Sequence, residues 1–156
     1  MSKPHASTEE VVRQTLDIVP FLMQVMSSEM RSTGHIVVGG HLRLLAELTV
    51  GPFTLTDLAE INMVTPPTMS NTISAMEAKG WVRRSRSESD RRLVMIELTD
   101  DGRKVHEEID GATRKRLITL LEPLSDENKT KLVEALEILR QQFEAGVQLG
   151  RHHHKG

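Results

Sequence analysis

Residues Thr54 to Leu98 read TLTDLAEINMVTPPTMSNTISAMEAKGWVRRSRSESDRRLVMIEL. The order of signals in this stretch decides the fold. Thr54 can cap a helix, and Asp57 stands three residues on, the spacing of a capping box with Asp in place of Glu. Leu58 and Ile61 then fall on one face, and Ala59 is small enough for close helix packing. The pattern gives way at Asn62-Met63-Val64, a connection of the right length for a helix-turn-helix. The second helix starts sharply. Thr65 serves as N-cap, and Pro66 suits the first helical position, where its missing amide hydrogen would be unpaired anyway. Met69, Ile73 and Met76 make its apolar stripe, and Gly80 ends it. Trp81 to Arg84 reads as a short strand and Leu93 to Leu98 as its partner, with an arginine-rich loop between them.

Two helices followed by such a hairpin predict a winged helix-turn-helix, a unit that places one helix in the DNA major groove and a basic loop on the backbone or minor groove. Opposite the apolar stripe, the second helix presents Pro67, Ser70, Asn71 and Ser74, with Thr68 on the flank. Short uncharged side chains let a helix sit close to base edges and phosphates. In the hairpin, Arg84, Arg86 and Arg91 suit phosphate contacts, and Arg92 suits a narrow, electronegative minor groove. Asp90, two residues before Arg92, is placed to hold that guanidinium in one orientation.

The net charge of -2 looks wrong for a DNA binder, but the mean conceals the distribution. Arg83, Arg84, Arg86, Arg91 and Arg92 all fall between residues 83 and 92, and acidic residues gather elsewhere. The local basic footprint is what meets phosphate. A hydrophobic fraction of 38% and a charged fraction of 27% are those of a globular protein. With no cysteine, a disulfide framework, a thiolate zinc site and a thiol redox switch are excluded. The polar start MSKPHASTEE has no signal-peptide core, and no apolar run reaches the roughly 20 residues that span a bilayer. These features predict a cytoplasmic protein without a membrane partner.

Outward from this unit the chain reads as helix on both sides, a single domain over residues 1–156. Residues 8–50 carry N-terminal helices with Val12, Leu16, Val19, Met23, Met26 and Met30 on one side, and Pro20 is expected to kink or interrupt the first. The winged unit occupies 54–98. Residues 99–146 read as C-terminal helices divided by Pro123, with Ser125 as an N-cap and Leu132, Leu136, Leu139 and Phe143 at helical spacing. Residues 147–156 have no periodicity and read as a flexible tail. The peripheral helices would leave much apolar surface uncovered in a lone chain, so they are expected to pair across a two-fold axis. The fold class is therefore mostly α (α+β), a winged helix-turn-helix with N- and C-terminal dimerisation helices.

Three ordered pieces of this sequence resemble the MarR-type (multiple antibiotic resistance regulator) family. They are LAE with the turn and TPPTMSNTISAMEAKGWV, then SESDRRLVMIEL with its Asp90-Arg91-Arg92, then LTDDGRKV at Leu98 to Val105. The resemblance is strongest over Leu42 to Val105. It implies a homodimer whose two winged lobes read an inverted-repeat operator in double-stranded DNA, in most members as a repressor. It also implies relief by a small aromatic acid bound between the dimerisation helices and the winged lobe, a junction that would draw on Val12, Leu16, His41 and Leu45. No cofactor is implied.

Two other readings compete for these residues. One is a winged helix used only for protein interaction, which an apolar exposed face on residues 66–79 would favour; the face here is polar. The other is a zinc-responsive regulator, suggested by His41 and by the spacing of His106 and Asp110 on one helix face; no metal site is assigned on that basis. No phosphate-binding glycine loop, His-Glu-x-x-His or nucleophile elbow is present, and adjacent acids such as Glu107-Glu108 point about 100° apart on a helix, so an enzyme is not expected.

Overall fold

The computed structural model describes residues 6–35, 39–87 and 90–153, the last segment with side chains as far as 145. Glu88 and Ser89 of the wing loop, His154 of the terminal histidine triplet and the first five residues lie outside this description. Within it the order is α1 (Thr8–Ser32), α2 (Gly39–Leu48), β1 (Phe53–Thr54), α3 (Leu55–Ile61), α4 (Pro66–Ala78), β2 (Val82–Arg86), β3 (Val94–Leu98), α5 (Asp100–Leu121) and α6 (Asp126–His153). Where the sequence reads as one domain, the backbone groups into two compact units, Met1–Arg116 and Leu117–Gly156, with the division inside α5.

Local chemistry fixes the first unit's boundaries. Thr54 and Asp57 form the expected capping box: the Asp57 amide donates to Thr54 Oγ1 at 3.1 Å, and the Thr54 amide donates to Asp57 Oδ2 at 3.1 Å. Thr65 caps α4, accepting from the Thr68 amide, with Pro66 at the first position. Gly80 at φ +76° closes α4. Its amide donates to the Glu77 carbonyl and the Trp81 amide to the Met76 carbonyl, which together form a Schellman motif.

Helix α3 ends in the same motif without a glycine. Met63 and Val64 donate to the carbonyls of Glu60 and Ala59, and Met63 is held at φ +53°. A side chain in this left-handed region costs about 1–2 kcal/mol. Met63 is 85% exposed, so its side chain contributes little packing in return. Met63→Gly is therefore expected to stabilise the protein by about 1 kcal/mol, raising Tm by roughly 2–4 °C. A lower Tm in a thermal melt would show that the turn is not strained.

The sheet has the order β1-β3-β2, all antiparallel. β1 pairs Phe53 with Ile96 and Thr54 with Met95; the hairpin register runs from Val82 opposite Leu98 to Arg86 opposite Val94. The strands differ slightly from expectation. β2 starts after Trp81 and extends to Arg86, and β1 was not anticipated.

Around this sheet lies one apolar core: Leu44, Leu45 and Leu48 of α2, Leu58 and Ala59 of α3, Met69, Ile73 and Met76 of α4, Trp81, Val82, Ile96, and Val105 and Ile109 of α5. The full burial of Ile73 and Met76 clamps α4 by its apolar stripe, at roughly 1.5–3 kcal/mol per side chain, and turns its polar face outward.

Helix α1 has no buried residue and runs through Pro20 without interruption. The expected break does not occur because one lost backbone donor is tolerable where solvent can reach the freed carbonyl. In the second unit, α6 is capped by Ser125, whose Oγ accepts from the Asn128 amide at 3.3 Å. The helix reaches His153, beyond the point at which a tail was expected to begin. Among the described residues no helix is long and apolar enough to cross a membrane.

Candidate nucleic-acid interface

The outward face of α4 carries what the sequence placed there. Pro67, Thr68, Asn71 and Ser74 are exposed, and Ser70 is half-buried at the edge of the packed stripe. Thr68 Oγ1 lies 2.9 Å from Thr65 Oγ1, so the first turn is tied to its own cap. No acidic residue lies in that turn, which leaves the positive end of the helix dipole open to a phosphate.

The hairpin arginines divide by what already holds them. Arg83 is committed to the sheet: its Nε donates to Glu97 Oε1 at 2.9 Å across the β2–β3 register. That hydrogen bond, with one from Ser85, holds the Glu97 carboxyl below its usual range. Arg84 turns toward α4, donating through Nε to Glu77 Oε2 at 3.3 Å and through a terminal nitrogen to Ser74 Oγ at 3.2 Å. Arg86, Arg91 and Arg92 stand exposed around the wing.

The wing turn itself is built by Asp90. The Leu93 amide donates to the Asp90 carbonyl at 2.9 Å, closing a β-turn over residues 90–93, and the Arg92 amide donates to Asp90 Oδ1 at 2.9 Å. An Asp in the first turn position bonding the backbone two residues on is a strong local turn-former. The Arg92 guanidinium is only loosely drawn in, with Nε 3.8 Å from Oδ1 and a side chain 95% exposed. Asp90 thus orients Arg92 chiefly through the backbone, where the sequence suggested a carboxylate–guanidinium clamp.

On its other side, α4 ends over an aromatic post. Lys79 Nζ sits 4.5 Å from the Trp81 ring centroid, and His41 meets the same indole edge-on at 6.3 Å. His41 Nδ1 is buried without a hydrogen-bond partner among the described residues. Desolvation, then the Lys79 charge, push the His41 pKa below the ordinary imidazole value and keep the ring neutral at pH 7.

Of the residues expected to line an effector site, Leu45 is fully buried in the core, whereas Val12 and Leu16 on α1 are more than half exposed. The cleft that does open beside Trp81 is lined instead by His35, Lys79, Asp101, Lys104, Val105 and Glu108. Its volume of about 260 Å³ falls below the roughly 300–1,000 Å³ of small-molecule pockets. His35 and Glu108 close one side of it with a 2.7 Å contact. As for zinc, Asp110 is engaged by Arg114 Nε at 2.6 Å, and no group of three or more metal-ligating side chains gathers among the described residues.

Sequence reasoning missed Glu77, Thr99 and Gly102. Thr99 Oγ1 donates to the Gly80 carbonyl at 2.5 Å and accepts from the Gly102 amide at 3.0 Å, while the Thr99 amide donates to the Trp81 carbonyl at 3.0 Å. The start of α5 is thereby stapled to the turn that ends α4. The family pattern around Leu98-Thr99 was visible, but its reason is this tertiary contact.

The comparisons with known proteins agree with this architecture. The profile of the MarR family matches residues 41–94. The helix-turn-helix-type transcriptional regulator YwoH of Bacillus subtilis is 33% identical over 94 residues, covering 60% of this chain and 68% of that one. YfiV, a regulator of the same type and organism, is 32% identical over 94 residues; the match covers 60% of this chain and 59% of YfiV. The structure of Streptococcus pneumoniae FabT in complex with DNA superposes with a TM-score of 0.72 at 22% identity, over 89% of this chain and 99% of that one. YwoH and YfiV are transcriptional regulators by name, not enzymes. With the winged hairpin following the helix-turn-helix, and with this identity maintained across two thirds of YwoH, the chain belongs to the MarR family.

Proposed function

We propose that this chain is a sequence-specific double-stranded DNA-binding regulator of transcription that acts as a homodimer in the cytoplasm. The observation that carries the reading is one surface with two complementary parts. A polar face on α4 is fixed by its buried stripe, and beside it a wing turn holds Arg91 and Arg92 in solvent. FabT, of the same fold, is seen in complex with DNA. Ser70, Asn71 and Ser74, with Pro67 and Thr68, are assigned to base edges and nearby phosphates, Arg86 and Arg91 to phosphates, and Arg92 to the minor groove. The same polar face argues against a surface kept only for protein interaction.

If Arg92 enters the minor groove, Arg92→Ala weakens operator binding by about 1–3 kcal/mol, roughly fivefold to 150-fold. Asp90→Ala loses part of the same affinity because the turn that aims Arg92 is released. Isotherms at fixed salt measure both; unchanged affinity in both variants would remove the wing from the mechanism.

The regulator is proposed to repress, and a small aromatic acid to relieve it. Support for the ligand comes from His41, a neutral imidazole whose buried Nδ1 lacks a hydrogen-bond partner among the described residues, on the same helix as the buried, apolar Leu45. A ligand releases DNA only by binding the incompetent arrangement more tightly. Adding salicylate-like acids to the protein–operator complex is expected to dissociate it at millimolar concentration and to raise the Tm of the free protein. A complex and a Tm both indifferent to ligand would rule this effector class out.

A further inference from the structure

Among the described residues, Arg84 is the wing arginine whose guanidinium is shared between two side chains of the reading helix. It bonds Ser74 Oγ at 3.2 Å and Glu77 Oε2 at 3.3 Å. We propose that Arg84 is a positioning residue, not a phosphate contact: it fixes Ser74 as a hydrogen-bond donor toward the DNA and so sets base preference at the position Ser74 reaches. This rests on the assignment of α4 as the DNA-reading helix.

A serine hydroxyl has one donor hydrogen and two lone pairs, so an isolated serine reads donors and acceptors alike. A guanidinium is donor-only. With an Arg84 N–H on one lone pair, the hydroxyl hydrogen is driven away from the cation, and the nearby charge strengthens it as a donor. Ser74 is exposed, so that hydrogen points to whatever meets α4.

Glu77 makes the effect a two-way choice. It stands one turn along the same face, near enough in spacing to accept the Ser74 hydrogen itself. Arg84 draws Glu77 to itself through Oε2, in competition with the Ser74 hydrogen, and so favours that hydrogen pointing outward; it also offsets the one carboxylate that α4 would otherwise bring toward phosphates. Guanine O6 and N7, adenine N7 and thymine O4 are acceptors in the major groove, whereas cytosine presents an amino donor. The arrangement therefore disfavours cytosine at the edge Ser74 reaches. Arg84 is neutralised locally and adds little to counterion release.

The pair is partly exposed, with side chains 36% and 42% accessible, so its loss is not expected to unfold the protein. The test uses the whole 156-residue chain and duplexes selected from random DNA by the wild type. Arg84→Ala, Ser74→Ala and the double variant are measured on duplexes changed at each position of a half-site, and over a range of salt. The expected result is a loss of discrimination against cytosine at one position per half-site, roughly three- to tenfold, in Arg84→Ala. The double variant then matches Ser74→Ala, and the salt slope stays at the wild-type value. Arg84→Lys, which keeps the charge but cannot span both partners, behaves like Arg84→Ala in base preference. A slope reduced by about 0.9 with base preferences intact would make Arg84 a direct phosphate contact and overturn the proposal. Additive losses in the double variant would overturn it as well. A wild type that selects no sequence would sink the DNA-reading assignment itself, a failure distinct from intact selection that Arg84→Ala leaves unaltered.

Discussion

Gly102→Ala is expected to destabilise the protein by about 3 kcal/mol or more, lowering Tm on the order of 10 °C. A Cβ at this position would lie 2.0 Å from the Trp81 carbonyl oxygen and 2.8 Å from its carbon, with Leu98 Cδ1 at 3.0 Å. The obstacle is backbone, so no side-chain rotation relieves it. That carbonyl also accepts the Thr99 amide at 3.0 Å, and the Gly102 amide donates to Thr99 Oγ1. Backing α5 away to make room would break the staple that joins it to the end of α4. A second glycine of the same helix supplies the control. Gly111 has nothing within 4 Å of an added Cβ, and Gly111→Ala is expected to stabilise by about 0.5–1 kcal/mol through helix propensity alone. Thermal melts of the two variants should move in opposite directions; similar shifts would mean that the close approach at Gly102 does not constrain the fold.

The other large effect concerns assembly. On α6, Leu136 and Phe143 are 54% and 59% exposed, and on α1 Leu16, Phe21 and Met23 are each more than 60% exposed. Soluble monomers rarely leave so much aliphatic and aromatic surface in water. If these faces meet their symmetry mates, Leu136→Glu places an unpaired carboxylate in the interface twice, once from each protomer. The variant is expected to sediment as a monomer at micromolar concentration, where the wild type is expected to sediment as a dimer. Its DNA affinity should fall by at least about a hundredfold, because half of the phosphate and base contacts leave with the partner. Leu136→Ala, which removes apolar area without adding charge, should weaken dimerisation less and retain the fold. A wild type that is monomeric at that concentration would contradict the pairing.

The parts of this site that were legible in the sequence are those made by neighbours along the chain. The Thr54–Asp57 box, the Thr65-Pro66 start, the Gly80 stop and the Met69-Ile73-Met76 stripe each involve residues within a turn or two of each other. Together they place the polar face of α4. What the sequence hid was set by elements converging from a distance. β1 is two residues long, too short to show alternation, and exists only because Phe53 finds Ile96 across the sheet. The Arg84 bonds join residues ten and seven positions apart on a strand and a helix. Gly102 reads as a helix-weakening residue until Trp81 is seen against it. Asp90 was rightly marked at the wing, but its carboxylate serves the Arg92 backbone more closely than the guanidinium, a distinction of geometry that spacing does not carry. Met63 shows the reverse: the turn needs a left-handed residue, and the chain supplies one that strains.

The central claim is that α4 and the wing together recognise a particular double-stranded DNA. Its most direct test is the affinity of the wild-type protein for its own selected duplex against a scrambled duplex of equal length, measured across salt. A preference of about a thousandfold or more for the selected duplex is expected. Log affinity should fall linearly with log salt, by about 0.9 per phosphate contacted, and the selected sequence should have two half-sites about 10 bp apart, centre to centre. Equal affinity for the two duplexes, or no binding at low salt, would contradict it.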